Sequence, residues 1–533
     1  MKFRDSIVTR LFLYSVFTWG ILLCAINHGS AQLTPKARYE KELKSSDNGF
    51  TMVSLNENGI ALLREKNKFN EGKKLWEVVL LDTLLNERWQ GDVEVKSNYD
   101  MIGYEYGGSY VYFLFREGDK DSNKFGLIQI HINDFTIKEY DIKHEFSFRL
   151  THFSVVDENI IFGGYVSREP ALMLYETASQ FIKVIPGFFL KDTELLDVTV
   201  NYNNTFNVLL IERNAMDKHH LVIKTFNASG ILLLEDYIEI EREKNLLTGI
   251  TSSLKREELI ILGTFTEGVS TEALGFYAVL VDPFTEQKIQ YNYFTSLYHL
   301  LEYLPEKRAS KIKDKAVERI DLGKSPDYKA HIQPIRIEEN DDGFYLLAEM
   351  YDPIASNPRP YWNNYYSPYY GYGYAPYSYN PFMNRYANTP YAGSNLSESS
   401  SAKMIESVLL LFNNKAKLVW DNSIQYTDER RYSVEQTSDF LIKDELIFLA
   451  YKKNQEVLVR TAKLNEDPEM DSISVPLKKQ TDIVRYETEE DTGVRYWFAD
   501  KVFVWGYQSI RDNEVKDQDP VKYIFYINKF EAE

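Results

Sequence analysis

Hydrophobic and polar positions recur along this chain as a unit. A short apolar stretch leads into a turn of Asn, Asp and Gly, and a second apolar stretch follows. After a variable loop come a third, very apolar stretch, a polar turn and a last stretch that alternates. The second stretches are IALLREK from Ile60, VYFLFRE from Val111, IIFGGY from Ile160, NVLLIER from Asn207, LIILGTF from Leu259, FYLLAEM from Phe344, LIFLAYK from Leu446 and VFVWGYQ from Val502. Third and fourth stretches pair up over 78–95, 127–144, 221–240, 278–294 and 408–426, with weaker copies at 172–189 and 458–477. Where no insertion intervenes the spacing is about 45 residues, which suits four short strands per repeat.

A four-stranded unit of this kind cannot bury both its faces alone, whereas units stacked around an axis can. The pattern predicts an all-β chain folded as a β-propeller, one blade per unit. Eight blades fit best. Seven is the alternative, because 470–500 divides ambiguously. The eighth unit ends at its third strand, Lys522 to Phe530, and a fourth strand from Ala37 to Lys44 would close the ring and leave no free edge.

Two units resemble the kelch repeat, a propeller family. Gly163-Gly164 form its paired glycines after the second strand, and Asp282-Pro283-Phe284-Thr285 form an Asp-Pro-x-Thr turn. The other units lack the paired glycines, and a late tryptophan occurs at Trp89 and Trp420 alone. The resemblance implies a propeller, and kelch-type propellers are mostly interaction modules and sometimes enzymes.

Two insertions break the rhythm. In 296–330, Leu297, Leu300, Leu301 and Leu304 recur at helical spacing. Pro305 follows, and then a basic run of Lys307, Arg308, Lys311, Lys313, Lys315 and Arg319 against Asp314 and Glu318. Ala309, Ile312, Ala316 and Ile320 thread an apolar stripe through that run. Two short helices on the rim are expected. In the second insertion, 351–406, residues 361–391 hold 11 tyrosines among 31 residues and one charge, Arg385. Its Pro and Gly content predicts a low-complexity loop. Loops joining second to third strands open on the same face of a propeller as loops joining one blade to the next. Both insertions therefore belong to one face, and the turns of the other face are short.

Composition adds location. The first 31 residues read as a signal peptide: Lys2, Arg4 and Arg10, an apolar run from Leu11 to Ile26, and small residues at Gly29 and Ala31. Sixteen apolar residues fall short of the roughly 20 of a spanning helix. An uncleaved anchor is the competing reading. Cys24 follows Leu23, where a lipidation site needs a small residue. Cleavage removes three cations, one anion and the single cysteine, taking the net charge from −18 to −20. The expected product, 32–533, is one exported propeller domain of the bacterial periplasm or cell surface. Its acidity disfavours nucleic acid as a partner, and no membrane span is expected.

The candidate partner-binding residues are Tyr365, Tyr366, Tyr369, Tyr370, Tyr372 and Tyr374 in the loop, with Lys307, Arg308, Lys311 and Lys315 in the basic run. Tyrosine offers a flat apolar body and a hydroxyl to sugars or proteins. The basic run suits a phosphate or an acidic glycan. No catalytic, metal or cofactor-binding residue is assigned. G-x-S-x-G, H-E-x-x-H and G-x-x-x-x-G-K-S/T motifs are absent. Asp119-Lys120-Asp121 opens like a calcium loop, but Lys124 replaces its glycine. His219 and His220 are neighbours on a strand and point apart. His152, Asp197, His331 and Arg336 are placed on inner strands without an assigned role. The chemistry favours a non-catalytic binding or scaffold protein with a protein or glycan partner. The alternatives are a propeller carbohydrate-active enzyme with channel carboxylates and a purely structural envelope component.

Overall fold

The computed structural model describes residues 32–44, 46–118, 122–213, 219–282, 284–285, 287–354, 402–431, 434–488, 491–512 and 521–533. The predicted leader, the tyrosines of 361–391 and Asp119 to Asp121 lie outside the described residues.

Eight antiparallel sheets form eight blades in a ring. We number blades along the chain and letter strands a to d from the axis outward. Blade 1 is Thr51–Ser54, Ile60–Asn70, Lys73–Leu81 and Glu87–Lys96. Blade 2 is Tyr99–Gly107, Tyr110–Glu117, Lys124–His131 and Ile137–Lys143. Blade 3 is Arg149–Val156, Asn159–Val166, Glu169–Glu176 and Phe181–Ile185. Blade 4 is Thr193–Val200, Thr205–Arg213, His219–Asn227 and Leu232–Ile240. Blade 5 splits its strand a into Lys244–Leu246 and Ile250–Thr251, then runs through Leu259–Glu267, Gly275–Val281 and Gln290–Tyr293. Blade 6 is His331–Asn340, Gly343–Pro353, Ala402–Phe412 and Leu418–Arg431. Blade 7 is Ser438–Lys443, Leu446–Lys453, Glu456–Ala462 and Glu469–Ser474.

Blade 8 settles the ambiguity over 470–500. Its strand a is split into Asp482–Glu487 and Gly493–Phe498, both pairing with Lys501–Asp512. Strand c is Val521–Ala532, and strand d is the N-terminal Leu33–Leu43. The predicted closure forms, and it begins four residues earlier than the pattern suggested.

The cores explain why the b and c strands read as unbroken apolar runs. Eight buried clusters lie between neighbouring blades, one per interface, including blade 8 against blade 1. Successive residues of a strand feed alternate clusters. Ile60 and Leu62 face blade 8, while Ala61 and Leu63 face blade 2. A strand buried on both faces has no polar side to alternate with.

The 296–330 insertion forms one helix, not two. The helix α1 is Glu306–Asp321, entered through Pro305. Leu297, Leu300 and Leu301 are buried between blades 5 and 6 as expected, but 297–304 closes as tight i to i−3 turns, Glu302 N to His299 O at 2.9 Å and Leu304 N to Leu301 O at 3.1 Å. Asp421 captures the amides of Tyr298 and His299 at 2.9 and 2.7 Å. With Pro305 closing the other end, too few residues remain to nucleate a helix.

Candidate functional site

The elaborated face is built where blades 5, 6 and 7 meet. Behind Asp421, Arg460 of blade 7 donates to Glu302 at 2.9 Å, and Glu302 lies 2.6 Å from His299 Nδ1. These contacts pin the turn segment and leave Tyr298 71% exposed. Helix α1 lies against this platform through Ala309 and Ile312, and Ala316 on the same side of the helix is buried. The expected stripe stops there, because Ile320 is exposed. Lys313 reaches back to donate to Tyr298 O at 2.9 Å, with its ammonium 5.5 Å from the tyrosine ring.

The four predicted basic residues divide into two sets. Lys315 pairs with Asp327 at 2.7 Å, and Arg319 joins it at 3.0 Å. The ammonium of Lys315 bonded to Asp327, followed by the Arg319 charge, holds that carboxyl below its usual range. Lys307, Arg308 and Lys311 are exposed on α1, and among the described residues none of them makes an ion pair.

The roots of the second insertion stand beside this platform. Pro353 and Ala402, which flank it, pair with each other at the ends of strands b and c of blade 6. Tyr351 at that root lies 5.5 Å from His331. The hydroxyls of Tyr303 and Tyr328, both from the first insertion, meet at 3.0 Å. Burial raises both phenols above their ordinary range, and the nearby charges of Glu406 and Asp352 raise them further. The helix and both roots thus share one face. Tyr365, Tyr366, Tyr369, Tyr370, Tyr372 and Tyr374 lie outside the described residues.

The channel wall was the other place to look for chemistry. His152, Asp197, His331 and Arg336 all stand on a strands, of blades 3, 4, 6 and 6. His331 packs beside Tyr351, and the other three are hydrogen-bonded locally. His152 Nδ1 meets Thr151 Oγ1 at 2.9 Å, and burial pushes the imidazole down to about 4. Asp197 accepts from Thr199 Oγ1 at 2.6 Å and from Thr251 N of blade 5 at 2.9 Å. Arg336 donates to Asp439 of blade 7 at 2.9 Å and to Phe440 O at 2.8 Å, and stacks 4.1 Å from the Phe440 ring.

The a strand is the free edge of every blade, so its outward amides need partners. Carboxylates of adjoining blades supply them. Asp439 accepts from Tyr496 N of blade 8 at 2.8 Å. Glu339 of blade 6 accepts from Ser253 N at 2.7 Å and Arg256 N at 2.9 Å, both before strand b of blade 5. Glu349 of blade 6 is fully buried; it accepts from Thr437 N at 2.9 Å, Ser438 N at 3.1 Å and Tyr426 Oη at 2.8 Å. Desolvation pushes Glu349 up to about 7, and the donors moderate the effect. These acids act as stitches between blades. Glu105 of blade 2 differs: it is half-buried, and desolvation pushes its carboxyl up to about 8.

Sequence reasoning found the basic residues and missed Tyr298, Asp421, Asp327, Asp439 and Glu349. The contact of Asp421 with Tyr298 spans 123 positions. No local pattern marks it.

No three His, Cys, Asp or Glu side chains gather at metal-binding geometry among the described residues. No family model matches the chain. No curated protein matches it. Among solved structures it is similar to the polysaccharide lyase Uly1, at 8% identity over 93% of this chain and 99% of that one, TM-score 0.38. It is similar to the β-propeller domain of the Trilobed protease from Pyrococcus furiosus, at 11% identity over 80% and 98%, TM-score 0.33. It is also similar to the dihydro-heme d1 dehydrogenase NirN, at 12% identity over 93% and 80%, TM-score 0.39. Likeness at this level carries no functional argument, and the assignment to the β-propeller fold stands on the chain's own eight blades.

Proposed function

We propose that this chain is an exported, non-catalytic propeller of the bacterial envelope that engages a protein or glycan partner through the face bearing α1. One observation carries the reading. Lys307, Arg308 and Lys311 are held on a helix packed against the ring, yet form no ion pair among the described residues. On a chain of charge −18 such a group serves an outside ligand better than the fold. The channel supports the same view, because Asp197, Glu339, Glu349 and Asp439 are bound to neighbouring blades. Export rests on the sequence of the first 31 residues.

The test is capture from native envelope material with purified residues 32–533, beside a Lys307→Glu, Arg308→Glu, Lys311→Glu variant. A species retained by the parent and lost by the variant is the expected result. Identical retention by both removes the basic face from the reading.

One observation favours the catalytic alternative. Glu105 stands on strand a of blade 2, at the channel, and desolvation pushes its carboxyl above the usual carboxylate range, in the direction a general acid needs. A panel of polysaccharides incubated with the parent and with Glu105→Gln decides it: Glu105-dependent cleavage makes the chain an enzyme.

A further inference from the structure

We infer that the channel of this propeller binds a small monocarboxylate on the guanidinium of Arg495, with the amide of Gln436 beside it as a further donor. The site shares no residue with the basic face, and the inference goes beyond the binding reading above.

Arg495 stands on Gly493–Phe498, the second half of strand a of blade 8. The groups whose charges act on it are Asp439 of blade 7, Glu435 just before that blade, Tyr104 of blade 2 and Glu349 of blade 6. A side chain that meets groups from so many blades lies toward the axis. The residue is 7% exposed. A guanidinium carries five N–H donors. Here Nη1 donates to Val494 O at 2.7 Å and Nη2 to Gln436 O at 2.6 Å. Both acceptors are neutral carbonyls, and among the described residues Arg495 forms no ion pair. The Trp505 ring lies against it, 5.2 Å from the guanidinium carbon.

Acids are near, but each is committed. Asp439 binds Arg336 and Tyr496 N. Glu435 pairs with Arg431 at 3.5 Å. Glu349 accepts from Thr437 N, Ser438 N and Tyr426 Oη. Two comparably buried arginines show the contrast. Arg336 lies 2.8 Å from Asp439, and Arg431 lies 2.8 Å from Glu429. Burial works against all three charges. Neighbouring carboxylates outweigh it at Arg336 and Arg431, which are held above their ordinary range, whereas Arg495 is pulled below its own. A buried cation without a counter-ion is costly, and a bound anion removes that cost.

Gln436 is a second, independent sign. It is 3% exposed, and neither its Nε2 nor its Oε1 has a hydrogen-bond partner in the protein. Buried amides are rarely left so. Arg495 already holds the carbonyl of this residue, so the unpartnered amide belongs to the same part of the channel.

The planar fork of a guanidinium matches the two oxygens of a carboxylate. Asp439, Glu435 and Glu349 disfavour a second negative charge nearby, which selects a monoanion over phosphate. So little exposure admits a short acid and not a chain.

Thermal unfolding of purified residues 32–533 at neutral pH tests this, with sodium acetate, sodium chloride and sodium phosphate at equal ionic strength. Replacing chloride by acetate at about 100 mM should raise the melting temperature of the parent by about 2 °C more than that of Arg495→Met. General salt effects act on both and cancel. Arg495→Lys keeps the charge and loses the fork, and should show less than half of the parent's rise. Phosphate should give the parent no rise beyond chloride. A response equal to the parent's in either Arg495 variant overturns the inference, so Arg495→Lys decides it even where Arg495→Met does not fold. No acetate response in the parent also overturns it, and phosphate acting as strongly as acetate overturns the assignment to a carboxylate. Gln436→Leu should fall between the parent and Arg495→Met, and a full response there removes the amide from the site.

Discussion

Leu33 pairs with Ala532 in an antiparallel ladder. The first described strand of the chain is therefore the outermost strand of its last blade, and one ladder carries the closure of the ring. Leu43 at the far end pairs with Tyr523. The strand also buries Leu33 against blade 7 and Tyr39 and Leu43 against blade 1.

Deleting residues 32–44 should cost more than about 4 kcal/mol, among the largest effects a local change produces. It should also expose the edge of Val521–Ala532 to self-association. Chemical denaturation should show early, non-cooperative unfolding, and light scattering should rise with concentration. A truncated chain as stable as the parent would show that blade 8 does not need its fourth strand.

Asp439 binds Arg336 on one side and the Tyr496 amide on the other. Removing one member of a buried pair strands the other, so Asp439→Ala should destabilise by about 3–5 kcal/mol. Arg336→Met with Asp439→Leu should recover much of that loss, because no buried charge remains. Urea midpoints of the two variants test the order.

Two buried groups should give opposite pH dependences. The imidazole of His152 is pushed down to about 4 by burial, against an ordinary value of about 6.5. As pH falls through that interval the unfolded chain gains a proton that the folded chain refuses, and stability drops by about 3 kcal/mol. Glu349 is pushed up to about 7 from an ordinary value of about 4.3. As pH rises through that interval the folded chain keeps a proton that the unfolded chain releases, and stability drops by a similar amount. The two contributions offset each other between about pH 4.3 and 6.5. Relative to the parent, His152→Gln should make stability fall more steeply with rising pH there, and Glu349→Gln should make it climb. Denaturation series at half-unit pH steps measure both slopes.

Gly164 and Gly108 should respond differently to alanine. A Cβ on Gly164 would meet the backbone oxygen of Arg149 at 2.1 Å, so strand a of blade 3 would have to move. A Cβ on Gly108 meets nothing within 4 Å, and the strain there is the φ of +62° alone. Gly164→Ala should cost about 3 kcal/mol and Gly108→Ala about 1 kcal/mol, read from thermal melts.

The ring was legible because its b strands are buried on both faces. Four-residue apolar runs such as Ile60 to Leu63 stand out at that spacing, and all eight begin within two residues of the observed strands. Paired glycines at Gly163 and Gly164 mark a close approach of strands, which is local and visible in sequence. The turns at 297–304 were misread because leucine spacing reports which residues are buried and not how the backbone closes. There Asp421, 123 positions away, binds the amides of Tyr298 and His299, and the segment from there to Pro305 closes in i to i−3 turns. The stitches of Asp439 and Glu349 were hidden for the same reason. A lone acid in an apolar strand looks the same whether it waits for a substrate or holds a neighbouring blade.

The most direct measurement places a photo-crosslinking amino acid on either face of the ring. Lys311 stands on α1, and Glu57 is exposed on the short turn between strands a and b of blade 1. With p-benzoylphenylalanine at one position or the other, irradiation in native envelope material should yield adducts from position 311 and none from 57. Adducts from 57 alone would place the partner on the plain face and contradict the account.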